Sequence, residues 1–167
     1  MYNVIIRSTN TQENTMTTLN TIEEDAIIKS ALEILDRRLR QPGETFDSPA
    51  KIRQFLRLLL AEREHEVFLI ILMDSQNRMI HSEELFRGTL TQTSVYPREV
   101  VKLSLQHNAG AVVFCHNHPS GMAEPSHADK MLTNTLKSAL ALVDVEVLDH
   151  FIVAGRDVLS FAERGLI

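Results

Sequence analysis

Residues 116–129, HNHPSGMAEPSHAD, hold the side chains best suited to chemistry in this chain. His116 and His118 stand one residue apart, directly after the apolar run Ala111–Cys115. Side chains alternate along a strand with period two, so a His-x-His at a strand end sends both imidazoles to one side. Two imidazoles leaving a rigid strand end are good ligands for zinc, a borderline-soft ion. A third ligand must come from elsewhere. Asp129 falls on the first turn of the next helical pattern, and a loop containing Pro119, Gly121 and Pro125 can fold it back. Two histidines and one carboxylate leave the fourth tetrahedral position to water, as in catalytic rather than closed structural zinc sites. Each part also has a plainer reading. Ser126 and Asp129 spell S-x-x-D, which equally describes a helix N-cap with an acidic N3 residue. A His-x-His in a loop need hold no metal, and Cys115, on the opposite strand face from His116, reads as core.

Patterning predicts an α/β domain, a mixed sheet flanked by helices, around this motif. The run TIEEDAIIKSALEILDRRL sets Ile22, Ala26, Ile27, Ala31, Ile34, Leu35 and Leu39 at helical spacing after an N-cap at Thr21. Pro42-Gly43 ends that helix, and a second fits Ser48–Glu62, with Pro49 at its first position. The apolar run that Glu66 opens, through Met73, reads as a buried strand. After a turn at Asp74–Asn77, Arg78–Phe86 returns as a second strand, Gly88-Thr89 breaks it, and Leu90–Thr93 is a short third. A helix follows from Pro97 to Asn108, then the strand Ala111–Cys115 and a long amphipathic helix from Ser126 to Val143. Val145–Val153 and Val158–Phe161 supply the closing strands.

With 167 residues, 44% of them hydrophobic, the chain fits one compact domain plus a short extension. Residues 8–21 are almost wholly Thr, Asn, Ser and Gln, too polar to offset the entropy of ordering. Residues 1–20 are therefore read as a flexible arm, 21–47 as a helical lead-in and 48–167 as the domain, with Met16 a second possible translation start. A net charge of −5 and a pI near 5.8 speak against a protein that grips a phosphate backbone. Arg37, Arg38, Arg40, Lys51, Arg53 and Arg57 cluster, but interleaved acids make them a solvated helical face. The single cysteine allows no internal disulfide, Val67–Met73 is far too short for a membrane span, and MYNVIIR lacks the features of a signal peptide. The expected location is the cytoplasm.

Together the residues spell His-x-His, seven residues, Ser, two residues, Asp: the JAMM metal motif of the JAB/MPN superfamily, met by His116, His118, Ser126 and Asp129. EELFRGTL (83–90), VYPREVVK (95–102), NAGAVVFCHNHPSG (108–121), EPSHAD (124–129) and LDHFIV (148–153) resemble the RadC-like branch of that superfamily. The resemblance covers roughly residues 48–161 and implies the JAB/MPN, cytidine-deaminase-like architecture. It resembles the short form without the N-terminal helix-hairpin-helix-like region, so no DNA-binding role of that region is carried over. The superfamily also implies an upstream glutamate at the start of the buried strand, and Glu66 is the matching position. Glu66 can also be read as one solvated charge in EREHE; Glu84 is the fallback, and Glu64 fits less well.

The resemblance implies a zinc-dependent hydrolase of an amide, peptide or isopeptide bond, with a peptide or protein substrate. His116, His118 and Asp129 would hold Zn2+, which brings the pKa of a water from ~16 towards ~7. Glu66 would accept the proton and deliver it to the leaving amine, and Ser126 would donate to the developing oxyanion. His150, in LDH, either supports the site or is an ordinary partly buried histidine; His65, His81, His107 and His127 lack ligand spacing and read as surface. The alternative is a DNA-repair-associated factor with a non-proteolytic role, the family's historical label. A zinc deaminase needs a Cys-x-x-Cys that one cysteine cannot supply, and a nuclease needs phosphate-clamping cations that are absent between His107 and Asp129. A scaffold would have lost the ligands. Asn117 departs from the Ser or Thr usual in deubiquitinases, so no ubiquitin-like substrate is implied.

Overall fold

The computed structural model describes residues 21–39, 49–61, 63–88 and 95–167. In chain order these form α1 (Thr21–Leu39), α2 (Pro49–Leu60), β1 (Glu66–Met73), β2 (Met79–Gly88), α3 (Pro97–Gln106), β3 (Ala111–Asn117), α4 (His127–Ala141), β4 (Glu146–Ala154) and β5 (Asp157–Ser160). The expected arm at 1–20, the Pro42-Gly43 stop, and the short strand Leu90–Thr93 lie outside the described residues. The five strands make one sheet in the order β2-β1-β3-β4-β5. Only β3 and β4 pair in parallel; the other neighbours are antiparallel. This is the expected mixed α/β sheet.

Helices cover both faces, which is why the central strands are apolar at every position rather than at alternate ones. Val67, Leu69, Ile71 and Met73 of β1, with Val113 and Cys115 of β3, pack against Ile52, Phe55, Leu56 and Leu60 of α2. The alternate residues Phe68, Ile70, Leu72, Val112 and Phe114 face the other way, onto Val100 of α3 and Leu136 and Leu140 of α4. Cys115 is fully buried in the α2-side layer, as expected.

α1 differs from expectation. Its apolar positions Ile22, Ile27 and Ile34 are 80%, 54% and 38% exposed, and Leu32, half-buried, packs against the core. Of the expected cationic face, Arg37, Lys51 and Arg57 are solvated, while Arg53 reaches across to Glu163. β2 runs two residues past its expected end, because pairing with β1 continues to Glu66↔Gly88. Gly88, at φ 144°, closes the strand in a conformation that suits glycine.

Candidate metal centre

The register of three strands gathers the polar residues at one sheet end. β1 and β3 are antiparallel with Phe68 opposite His116. Extending that register by two residues sets Glu66 opposite His118, on the face shared by Phe68 and His116. His118 lies one residue past β3, but its backbone N–H donates to Val153 O at 2.8 Å and holds it to β4. α4 begins above this same face. Its N-cap Ser126 accepts from Asp129 N at 3.1 Å, and Asp129 accepts from Ser126 N at 2.7 Å, a complete capping box. The plainer S-x-x-D reading is therefore true of the helix, and the same carboxylate nevertheless faces the histidines, Oδ1 towards His116 and the capping Oδ2 towards His118.

The two imidazoles converge through His116 Nε2 and His118 Nε2, 2.9 Å apart. Asp129 Oδ1 lies 3.4 Å from His116 Nε2, and Oδ2 lies 3.7 Å from His118 Nε2. Ligands ~2.0–2.2 Å from a tetrahedral zinc stand roughly 3.3–3.5 Å from one another. The separations of 2.9, 3.4 and 3.7 Å scatter around that spacing, and two imidazoles with a carboxylate are the donor types that zinc takes, so the residues fit zinc by chemistry and approximate distance. Glu66, His116 and His118 also offer ligand atoms within 4.8 Å of one another. The Glu66 Oε1 to His118 Nε2 distance of 4.0 Å is wider than that between Asp129 and either histidine. Glu66 therefore reaches the same centre as Asp129, at slightly longer range.

Burial grades across the centre. His116 and Asp129 are buried, at 0% and 5% exposure. The half-buried Glu66 and His118 line an open cleft of about 350 Å³ with Pro119, Ser120, Met122 and Glu124. His118 Nδ1 is 2.8 Å from Met122 O. A carbonyl only accepts, so Nδ1 carries a proton, while Nε2 faces His116 Nε2 and Asp129. Burial pushes the His116 ring down to about 4, against the pull of Asp129. Asp129 beside His118 raises the pKa of that ring. Burial works to raise Asp129, but His118, His116 and the Ser126 N–H outweigh it and hold the carboxyl below the usual carboxylate range.

Other sequence candidates fall elsewhere. Glu84 is half-buried on β2, opposite Leu69, and is tied to Arg87 at 2.7 Å. Glu64 is exposed beside Arg63, Asn117 and His118 in a neighbouring cleft. His65 and His127 are exposed. His81 and His107, expected at the surface, are half-buried instead: their rings stack at 4.1 Å between centroids, because β2 and the C-cap of α3 meet there. His150 takes the supporting position of its two readings, fully buried with Nε2 2.8 Å from His116 Nδ1.

Two residues of the centre escaped sequence reasoning. Asn117, which stands out in the sequence only as a departure from the deubiquitinase pattern, is 2% exposed, and its amide takes over where the β1–β3 ladder stops. Its Oδ1 accepts from Val67 N at 2.8 Å, and its Nδ2 donates to Arg63 O and His65 O at 3.2 and 2.9 Å. Those bonds flank Glu66 on both sides and tie it to the strand that carries the histidines. Thr133, one helical turn after Asp129, donates to Asp129 O and meets His150, both at 2.6 Å. The i, i+4 spacing from Asp129 is the signal that could have found it. Asp149 of LDH is a fastener: it accepts from the backbone N–H of His150 and Ala162, at 2.7 and 2.9 Å, and so seats Phe161 over the His150 ring.

A family model described as a RadC-like JAB domain matches residues 46–166. A UPF0758 protein of Dechloromonas aromatica (strain RCB) is 62% identical over 146 residues, covering 85% of this chain and 65% of that protein. UPF0758 protein Nmul_A2138 of Nitrosospira multiformis is 61% identical over 142 residues, covering 85% of this chain and 63% of that protein. UPF0758 protein NE1464 of Nitrosomonas europaea is 56% identical, with the same two coverages, 85% and 63%. The chain thus spans slightly under two thirds of the length of these relatives. No helix among the described residues is long and apolar enough to cross a membrane. On the domain match and these identities, the chain belongs to the RadC-like JAB family.

Proposed function

We propose that this domain is a zinc-dependent hydrolase that cleaves an amide, peptide or isopeptide bond in a peptide or protein substrate. The observation that carries it is the convergence of His116 Nε2, His118 Nε2 and the Asp129 carboxylate, 2.9–3.7 Å apart, beside a second carboxylate in an open cleft. Bound there, zinc supplies Lewis acidity, bringing the ionisation of a water from ~16 towards ~7.

The chain's own groups do the rest. Glu66 stands at the start of β1 with its side chain 19% exposed, enough to reach the cleft while anchored by the sheet. Its carboxylate accepts the proton as the attack on the carbonyl begins and gives it to the departing amine. Ser126 Oγ accepts from Asp129 N, which leaves its O–H proton to donate to the developing oxyanion. The N-terminus of α4 adds its positive dipole end at the same place. Burial of His116 and Asp129 excludes water from the back of the site, so substrate approaches from the side of Glu66 and His118.

Metal analysis tests this reading. Protein purified without chelators should carry one zinc per chain, and the His116→Ala and Asp129→Ala variants should carry little. A wild type with no stoichiometric zinc overturns the proposal. A zinc-loaded wild type should also cleave peptide or isopeptide reporters from which Glu66→Gln releases product about 10²–10⁴-fold more slowly.

A further inference from the structure

His150 lies on the same sheet face as His116, because Phe114 pairs with His150 and His116 with Ile152 across β3 and β4. Its ring is enclosed by Phe68, Phe114 and Phe161, at centroid separations of 5.4, 5.9 and 4.7 Å. Its Nε2 is 2.8 Å from His116 Nδ1, and its Nδ1 is 2.6 Å from Thr133 Oγ1. Thr133 Oγ1 in turn lies 2.6 Å from the carbonyl oxygen of Asp129.

The proton positions along this row follow from its far end. A carbonyl oxygen can only accept, so the Thr133 hydroxyl commits its single proton to Asp129 O. The hydroxyl then offers His150 only lone pairs, and His150 Nδ1 must be the protonated nitrogen. With that proton on Nδ1, the neutral ring of His150 has Nε2 as a bare acceptor. His116 Nδ1 is therefore the donor between the rings, and His116 Nε2 is a lone pair aimed at His118 and Asp129. We propose that Thr133, acting through His150, sets the tautomer of His116 and holds its Nε2 ready for a metal ion.

The use of Thr133 has a local logic. A helical threonine readily bonds the carbonyl four residues back, and here that carbonyl belongs to Asp129, whose side chain faces the two histidines. One helical turn thus fixes both a carboxylate and, at second hand, the tautomer of an imidazole on a separate element. Thr133 and His150 are positioning residues, since each acts through His116. The metal-ready part of the proposal rests on the zinc reading above; the tautomer part does not.

The test is nitrogen-15 NMR of the full chain, histidine-labelled and metal-free at neutral pH, joined to zinc titration against a competing chelator. In the wild type, His116 and His150 should each carry their proton on Nδ1. Thr133→Val removes the acceptor for His150, so its proton should move to Nε2 and drive the His116 proton to Nε2 as well. Zinc affinity should then fall about 10–100-fold, the usual effect of losing a residue that orients a ligand, and Thr133→Ser should restore both readouts. A proton on Nε2 of either ring in the wild type overturns the proposal, as does an unchanged His116 tautomer in Thr133→Val. Should that variant not fold, the wild-type tautomers still decide. A wild type that takes up no zinc overturns the metal reading alone, because the NMR arm needs no metal.

Discussion

The metal-free protein should lose stability in mild acid through His116. Burial lowers this ring from 6.5 to about 4, so between those values the unfolded chain binds a proton that the folded chain refuses. Stability therefore falls as the pH drops below 6.5, and goes on falling until the folded ring titrates near 4. With ~1.4 kcal/mol per pKa unit, the loss reaches about 2 kcal/mol by about pH 5. His150, pushed well below its ordinary value by its own burial, adds to the loss in the same direction. The other centre residues act in different windows. His118, raised by Asp129, contributes stability that is fully present below 6.5 and is lost as pH rises through its folded value. Asp129, held low, contributes stability above ~3.9 that disappears only at lower pH. Asp149, raised by burial, works oppositely just above ~3.9, so the range from about pH 6.5 to about pH 5 isolates the histidines. Urea unfolding of metal-free protein across that range, beside His116→Gln, measures the effect. The variant should be flatter by about 2 kcal/mol. A wild type whose stability is level over this range, or a variant of equal slope, refutes a neutral buried His116.

Three further outcomes are expected. Glu66→Gln should keep its zinc and lose about 10²–10⁴ in turnover, since a base and not a ligand is removed; loss of zinc would instead make Glu66 a ligand. Ser126→Ala should lose the N-cap bond of α4 for about 0.5–2 kcal/mol in chemical unfolding, and about 10²–10³ in turnover at full zinc occupancy. Unchanged turnover would leave Ser126 a cap only. Asn117→Ala strips the bonds to Val67 N, Arg63 O and His65 O, should cost about 1–3 kcal/mol or more, and should depress kcat more than zinc content. Equal losses of zinc and kcat would show that Asn117 holds the histidine strand rather than Glu66.

Features that belong to a single element are legible in the residue order alone. The period of two that puts His116 and His118 on one side, the S-x-x-D that caps α4, and the unbroken apolar run of β1 each depend on neighbours a few residues apart. The limits of that reading appear in α1, where helical spacing is present and Ile22, Ile27 and Ile34 are nonetheless exposed. Periodicity states which residues share a face, but not what covers it.

The centre itself needed the sheet. Glu66 meets His118 because β1 and β3 pair in one register, and a one-residue slip would have turned Glu66 to the α2 side. His150 reaches His116 because of β3–β4 pairing, whose register shifts between Val112 and Val113 to place Phe114 beside His150. Asn117 was unreadable for the same reason, and Thr133 carried only its i, i+4 spacing from Asp129: their partners are set by strand pairing and by the seat of α4 on the sheet. By itself the sequence determined the residue types, the local spacing and the two layers of apolar side chains. Only the tertiary structure decided which polar atoms meet, because register is chosen by burying both sheet faces at once, a sum over contacts far apart in the chain.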